Sequence, residues 1–259
     1  GSMYTLGIDI GSTTSKCVVI KDGKELVAHS LQTGGLGTGG PEEAMAQLWQ
    51  SCGLTRQDMA CAFVTGYGRK NYEGADGEIS ELTAHALGGR FVFPDLRTVI
   101  DIGGQDAKVI ALSPSGKMVN FVMNDKCAAG TGRFLDVMAS ILRLDVDALD
   151  TEAAKATAPA AISSTCTVFA ESEVISQLAN GVKRPDLVAG ICRSVASRVA
   201  ALARRAGVTE RVCLSGGVAQ NDAVRQALSD ELNVPVSVDP LAQYFGAIGA
   251  ALWAYKQQV

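Results

Sequence analysis

Apolar positions along the chain fall into two rhythms, and the rhythms appear in the same order twice. Residues 4–9, 16–20 and 25–28 are short apolar or alternating runs separated by turns, and Lys21-Asp22-Gly23-Lys24 is a hairpin signal in which Asp-Gly supplies the positive φ angles. A glycine-rich loop covers 34–40, and Pro41 then opens an acidic-capped helix to about Cys52. Residues 61–65 form another strand, ended by the turn Gly66-Tyr67-Gly68-Arg69, and a helix of small residues follows at about 79–89. From Thr98 the order restarts: a strand with a small-residue turn, a strand at 107–112, the turn Pro114-Ser115-Gly116, and a strand at 117–123. Three strands followed by α/β units, stated twice, predict an internal duplication.

The remainder is mostly helical. Helices are predicted at about 131–143 and 167–180. Pro185-Asp186 starts a long helix, apolar at Leu187, Ile191, Val195, Val199 and Leu202, which Gly207 stops. The last helix, about 243–255, carries Leu241, Phe245, Ile248 and Leu252 on one face, with Gly246, Gly249 and Ala250 beside them.

Composition narrows the class. The 259 residues suit one large domain or two modest ones, and a 47% hydrophobic, 5% aromatic make-up predicts a core of Ala, Val, Leu and Ile. A formal charge of −4 argues against nucleic acid as the main partner. No apolar run approaches the roughly 18 residues of a membrane span, and no secretory layout is present, so the expectation is a soluble cytoplasmic protein with no membrane partner. Gly1-Ser2 ahead of Met3 reads as an expression remnant. Seven cysteines, an odd number without a CxxC pair, argue against a disulfide framework.

The candidate chemistry lies in three turns. DIGSTTSK (9–16) and DIGGQDAK (101–108) are near copies set 92 positions apart, each closing on a lysine. An acidic residue at a strand end, followed by glycines, lets backbone N–H groups approach phosphate oxygens while the carboxylate faces a cation. One such turn is an ordinary turn; two suggest a duplicated unit gripping one polyphosphate from both sides. LSGGVAQN (214–221) is the candidate for holding the rest of a nucleotide.

These turns resemble the phosphate-1, phosphate-2 and adenosine motifs of the sugar kinase/heat-shock chaperone/actin superfamily, and the helices at 79–89 and 243–255 match its two connecting helices. Within it, NDKCAAGTGRFLDVMA (124–139) and SSTCTVFAESEVISQL (163–178) closely resemble the activators, or component A, of 2-hydroxyacyl-CoA dehydratases such as the 2-hydroxyglutaryl-CoA enzyme. The resemblance runs from Tyr4 to about Lys256. It implies an actin-like ATPase fold of two ribonuclease-H-like lobes with a nucleotide cleft between them. Lobe I would be 3–95, with the C-terminal helix 243–258 packed back on it, and lobe II 96–242. It implies a homodimeric, oxygen-sensitive ATPase of anaerobic metabolism with ATP/ADP, Mg²⁺ and one [4Fe–4S] cluster per homodimer. Its output would be a low-potential electron passed to the dehydratase, with ferredoxin or flavodoxin as donor. Benzoyl-CoA reductase ATPase subunits are relatives.

On that reading, Asp9 holds Mg²⁺ through water, since hard cations prefer oxygen ligands and retain water. Gly11, Ser12, Thr13, Thr14 and Lys16 serve the β- and γ-phosphates, and Gly103 and Gly104 close on the γ-phosphate. Asp101 and Gln105 are the candidates for orienting attacking water, with Gln105 standing where the chaperones commonly have a third glycine. Gly216 and Gly217 pass under the adenosine, near Gln220 and Gln243. Cys127 and Cys166 each precede a predicted helix, where the dipole and free N–H groups favour a thiolate. Two thiolates do not complete a cubane that wants four, whereas two chains about a two-fold axis do. Taken by spacing alone, all seven cysteines read as small buried apolar residues; the flanking sequences reverse that for Cys127 and Cys166 only.

Other features keep the plainer reading. Arg193, Arg198, Arg204 and Arg205 form a solvated helix face, His29 and His85 are structural, and Glu171 and Glu173 complement a helix dipole from its first turn. Two alternatives share the fold: a small-molecule kinase with Asp101 as base, and an ATPase subunit of a benzoyl-CoA-reductase-like enzyme.

Overall fold

Both strand triplets form, and each is extended on one side by two further strands. The structure, a computed structural model, describes residues 1–124, 128–163 and 167–259. They divide into two units: Gly1–Leu96, Ser113–Met118 and Asp239–Val259 make the first, Arg97–Leu112 and Val119–Val238 the second.

The first unit contains β1 (Tyr4–Ile10), β2 (Thr14–Lys21), β3 (Glu25–Thr33), α1 (Gly40–Cys52), β4 (Met59–Thr65), β5 (Gly77–Glu78) and α2 (Glu81–Val92). The second contains β6 (Thr98–Ile102), β7 (Ala107–Leu112), all but the first residue of β8 (Met118–Asn124), α3 (Gly132–Ile141), α4 (Leu149–Ala153), α5 (Thr167–Ala179), α6 (Arg184–Ala206), β9 (Val212–Ser215), α7 (Asp222–Leu232) and β10 (Val236–Ser237). The chain then returns to the first unit with α8 (Phe245–Lys256). The sheet orders are β3-β2-β1-β4-β5 and β10-β9-β6-β7-β8, so β1 corresponds to β6 and each later strand to its own counterpart. In both sheets the central strand pairs antiparallel with the next in sequence and parallel with the one after the crossover. The duplication read from the turns is therefore a duplication of topology.

The registers repeat as well. Asp9 faces Lys16 across β1–β2, and Asp101 faces Lys108 across β6–β7. In the first sheet both faces are covered, which is why β1 is apolar almost throughout. Leu6, Ile8 and Ile10 pack with Ala44 and Leu48 of α1, while Val18 and Ile20 meet Ala247, Ile248 and Ala251 of α8.

The small residues predicted for two helices are explained by their packing. A Cβ at Gly88 of α2 would run into the Phe245 carbonyl, one at Gly249 of α8 into the Ala84 carbonyl, and one at Gly7 of β1 into the Ala247 carbonyl. Helix α2 starts at Glu81, slightly later than predicted, because Ser80 caps it by accepting the Thr83 N–H. Among the described residues, no helix is long and apolar enough to cross a membrane.

Replacing Gly249 by Ala should gain about 1 kcal/mol of helix propensity yet cost about 1–3 kcal/mol by overpacking. The clash dominates because a backbone carbonyl has no rotamer to escape into. We expect Gly249→Ala to lower the urea unfolding midpoint; an unchanged or raised midpoint contradicts the packing.

Candidate functional site

In the first unit the site begins where β1 gives way to β2. The Gly11 N–H donates to the Thr14 carbonyl at 2.9 Å, closing the turn. Gly34 braces it from outside, donating to the Thr13 carbonyl at 2.8 Å and accepting the Ser15 hydroxyl at 2.7 Å. Ser12 and Thr13 are exposed on the turn, and Thr14 is half-buried at the start of β2. The Lys16 ammonium lies 3.6 Å from where a Gly11 Cβ would stand, so it is directed at the turn.

Asp9 is only 6% exposed, and no ion pair reaches it among the described residues. Its neighbour on the parallel strand β4 is Thr65, whose buried hydroxyl has no hydrogen-bond partner among the described residues. Gly66, at φ 95°, and Gly246, the second residue of α8, border the two carboxylate oxygens; a Cβ at either would fill that space. A buried carboxylate without a cationic partner, beside an unmet hydroxyl, is a donor set that fits a hard cation such as Mg²⁺.

In the second unit β6 ends at Ile102, and the Gly103 N–H donates to the Asp106 carbonyl at 2.9 Å. Gln105 is exposed at the tip. The carbonyls of Gly103 and Gly104 accept the N–H groups of Gly132 and Arg133, at 2.9 and 2.8 Å. These are the first two residues of α3, so the turn satisfies part of that helix's otherwise unpaired N-terminus.

Asp101 is buried and engaged at both oxygens. Lys108 Nζ lies 2.9 Å from Oδ2, and the Ser215 hydroxyl donates to Oδ1 at 2.7 Å. Ser215 ends β9 and leads into Gly216 at φ 86°, where a Cβ would strike the Ile102 carbonyl and lie 3.1 Å from Asp101 Oδ1. A short 3₁₀ turn, Gly217–Gln220, follows; Gly217 has open space where a side chain would stand, and Gln220 is exposed. Asn221 then caps α7, a helix the sequence pattern missed. A Val218 methyl lies 3.4 Å from the Cβ position of Gly132. The second glycine turn, the third glycine turn and the start of α3 thus meet at one place. Gln243 lies in the first unit, in the turn before α8, while Gln220 belongs to the second.

Cys127 and Cys166 lie outside the described residues. The chain on their far sides is helical: Ala128–Gly130 forms a 3₁₀ turn ahead of α3, and α5 begins at Thr167. Among the described residues, no group of three His, Cys, Asp or Glu is placed to hold a metal. Glu171 and Glu173 lie past the first turn of α5, correcting their reading as dipole partners. Glu173 instead accepts the Ser163 N–H at 3.0 Å and its hydroxyl at 3.2 Å, while Gln177 donates to the Ala161 carbonyl at 3.1 Å. Arg198 is likewise not simply solvated, since its Nε is buried. His85 is buried with Nδ1 2.8 Å from the Glu81 carbonyl, and His29 lies against Tyr244 with ring centroids 4.7 Å apart.

The sequence pattern supplied the turns but not the partners of Asp101 or the neighbour of Asp9. Lys108 was visible as the lysine closing the second repeat, and Ser215 as the residue before the third pair of glycines. What links them is a sheet order that no local pattern encodes.

A profile of the BadF/BadG/BcrA/BcrD ATPase family matches residues 6–254. The chain is 58% identical over 257 residues to the (R)-2-hydroxyglutaryl-CoA dehydratase activating ATPase of Acidaminococcus fermentans, covering 99% of this chain and 98% of that one. It is 51% identical to the 2-hydroxyisocaproyl-CoA dehydratase activator of Clostridioides difficile, over 98% of this chain and 96% of the relative. The crystal structure of component A of the A. fermentans dehydratase matches with a TM-score of 0.96 at 57% identity, covering 98% of each chain. The two five-stranded units are those of an actin-like ATPase fold, as the duplicated motif predicts.

The remaining cysteines define a reactivity map. Cys17, Cys61, Cys192 and Cys213 are buried, and Cys52 is half-buried. Burial pushes the Cys17 and Cys192 thiols up to about 12, the latter despite a hydrogen bond from Asn221, and burial raises the Cys213 thiol too. Thiolate is the reactive form, and a raised folded-state pKa leaves these three thiols neutral until the pH nears that value. Iodoacetamide at about pH 8 should therefore leave Cys17, Cys192 and Cys213 unmodified in the native protein and label them once it is unfolded. Labelling of Cys17 in the native state at that pH contradicts its burial.

Proposed function

This chain belongs to the BadF/BadG/BcrA/BcrD ATPase family, and we propose that within it the protein is the ATP-dependent activator of a 2-hydroxyacyl-CoA dehydratase. The working form is a cytoplasmic homodimer that binds MgATP or MgADP. Cys127 and Cys166 of both chains together hold one [4Fe–4S] cluster on the dimer axis. The cluster supplies one low-potential electron, which passes to the dehydratase, and ferredoxin or flavodoxin restores it. Full-length similarity to two named dehydratase activators supports this reading over an acceptor kinase, and a kinase has no use for the two cysteine segments at 124–139 and 163–178.

The observation that carries the coupling is the pair of hydrogen bonds from Gly132 and Arg133 of α3 to the Gly103 and Gly104 carbonyls. Cys127 precedes α3 closely in the chain, so a shift of the second phosphate turn is handed to the segment carrying a cluster ligand. In this reading residues 3–95, with the helix 243–258, and residues 96–242 are lobes that close on the nucleotide. Asp9 takes Mg²⁺ through water. Gly11, Ser12, Thr13, Thr14 and Lys16 hold the phosphates, and Gly216, Gly217, Gln220 and Gln243 lie along the adenosine. Asp101 and Gln105 orient the attacking water, since phosphoryl transfer depends largely on positioning and charge stabilisation. Moving a two-state equilibrium from 1:99 to 99:1 takes about 5.5 kcal/mol of differential affinity. Contacts from Ser12, Lys16, Gly104 and Gln105 to a γ-phosphate that ADP lacks are the source.

Cys127→Ser protein, purified anaerobically, should bind nucleotide like the parent, carry no cluster iron and dimerise weakly. A variant that keeps the full iron content of the parent dimer rules out this ligand assignment.

A further inference from the structure

The duplicated turns carry the same cross-strand Asp–Lys pair and use it in opposite ways. In the first copy the Lys16 ammonium is turned to the Gly11 turn, and no ion pair joins it to Asp9 among the described residues. In the second copy Lys108 Nζ sits 2.9 Å from Asp101 Oδ2, with the two side chains 4% and 6% exposed. The Ser215 hydroxyl holds the other oxygen at 2.7 Å, also in a buried setting. The two donors come from opposite neighbours of β6, Lys108 from antiparallel β7 and Ser215 from parallel β9. Each oxygen thus has a donor on a different strand, so rotation of the carboxylate about χ2 breaks both contacts at once.

We propose that Lys108 and Ser215 are positioning residues that fix the Asp101 carboxylate for hydrolysis, and that Ser215 ties it to the adenosine turn. The proposal rests on the reading of Asp101 as a residue that orients attacking water. Side chains anchored on strands hold an angle more tightly than side chains on loops, and small misplacements of a catalytic group are costly in rate. Because Gly216 follows Ser215 directly and packs against the Ile102 carbonyl, displacement of the adenosine turn is passed to Asp101 through one hydroxyl. Lys16 keeps the role of meeting phosphate charge; Lys108 acts on the carboxylate.

The test is ATP hydrolysis by the intact anaerobic dimer, with kcat and KM for ATP resolved separately and melting followed in parallel. Lys108→Met should lower kcat about 100-fold with little change in KM, and Ser215→Ala about tenfold. Lys108→Arg should recover part of the loss, since a guanidinium keeps the charge but not the point geometry of an ammonium. A purely structural pair would lower the melting temperature and the folded fraction while leaving kcat per folded dimer unchanged. Acting through Asp101 also predicts non-additivity: Asp101→Asn/Lys108→Met should turn over no more slowly than Asp101→Asn alone. That double variant strands neither charge and should melt above the Lys108→Met single variant. Wild-type kcat in Lys108→Met overturns the proposal. If that variant does not fold, wild-type kcat in Ser215→Ala, which strands no charge, overturns it equally. Full turnover in Asp101→Asn instead refutes the reading of Asp101 itself, a separable outcome.

Discussion

The N–H groups of Gly132 and Arg133, donated to the carbonyls of Gly103 and Gly104, join the second glycine turn to helix α3. A helix start leaves several N–H groups without intrahelical partners, and here two are met by the turn rather than by a side-chain cap, which Thr131 does not supply. Val218 of the third turn packs beside the same helix start. In the second unit the turn and the start of α3 are thus bonded directly to one another. In the proposed function ATP binding and hydrolysis act on that linkage, and the segment before α3 carries one proposed cluster ligand.

Duplication supplied two similar turns, and their surroundings made them different. The same Asp-Ile-Gly strand end, in the same register with a lysine opposite, is left in the first unit as a buried carboxylate beside a Thr65 hydroxyl that has no partner among the described residues. In the second it is neutralised by Lys108 and held by Ser215. A carboxylate without a cationic partner suits a metal ion; one locked by two donors suits a fixed angular task. The glycines follow the same logic: Gly66 and Gly246 leave space at Asp9, whereas Gly216 brings β9 against β6.

Much of this was legible where the cause is local. Asp22-Gly23 announced its hairpin, Pro185 and Gly207 bracketed α6, and the glycine turns appeared at the ends of β1, β6 and β9. Strands β5 and β10, of two residues each, are too short to show a period, and α7 declares itself mainly through the Asn221 cap. The partners of Asp101 were illegible for a different reason: Ser215 is 114 positions away and arrives only through sheet order. Glu173 was misread because its role depends on a contact with Ser163, ten positions away, that no helical period places. Cys127 and Cys166, singled out by their flanking sequences, lie outside the described residues.

In the function proposed above, a γ-phosphate at the second turn changes what α3 presents to a partner. The most direct measurement is electron transfer from the reduced dimer to a 2-hydroxyacyl-CoA dehydratase, compared with ADP and with ADP plus a γ-phosphate mimic. Tighter docking and faster transfer are expected in the mimic state. Equal affinity and equal rate in the two states would contradict the proposed function.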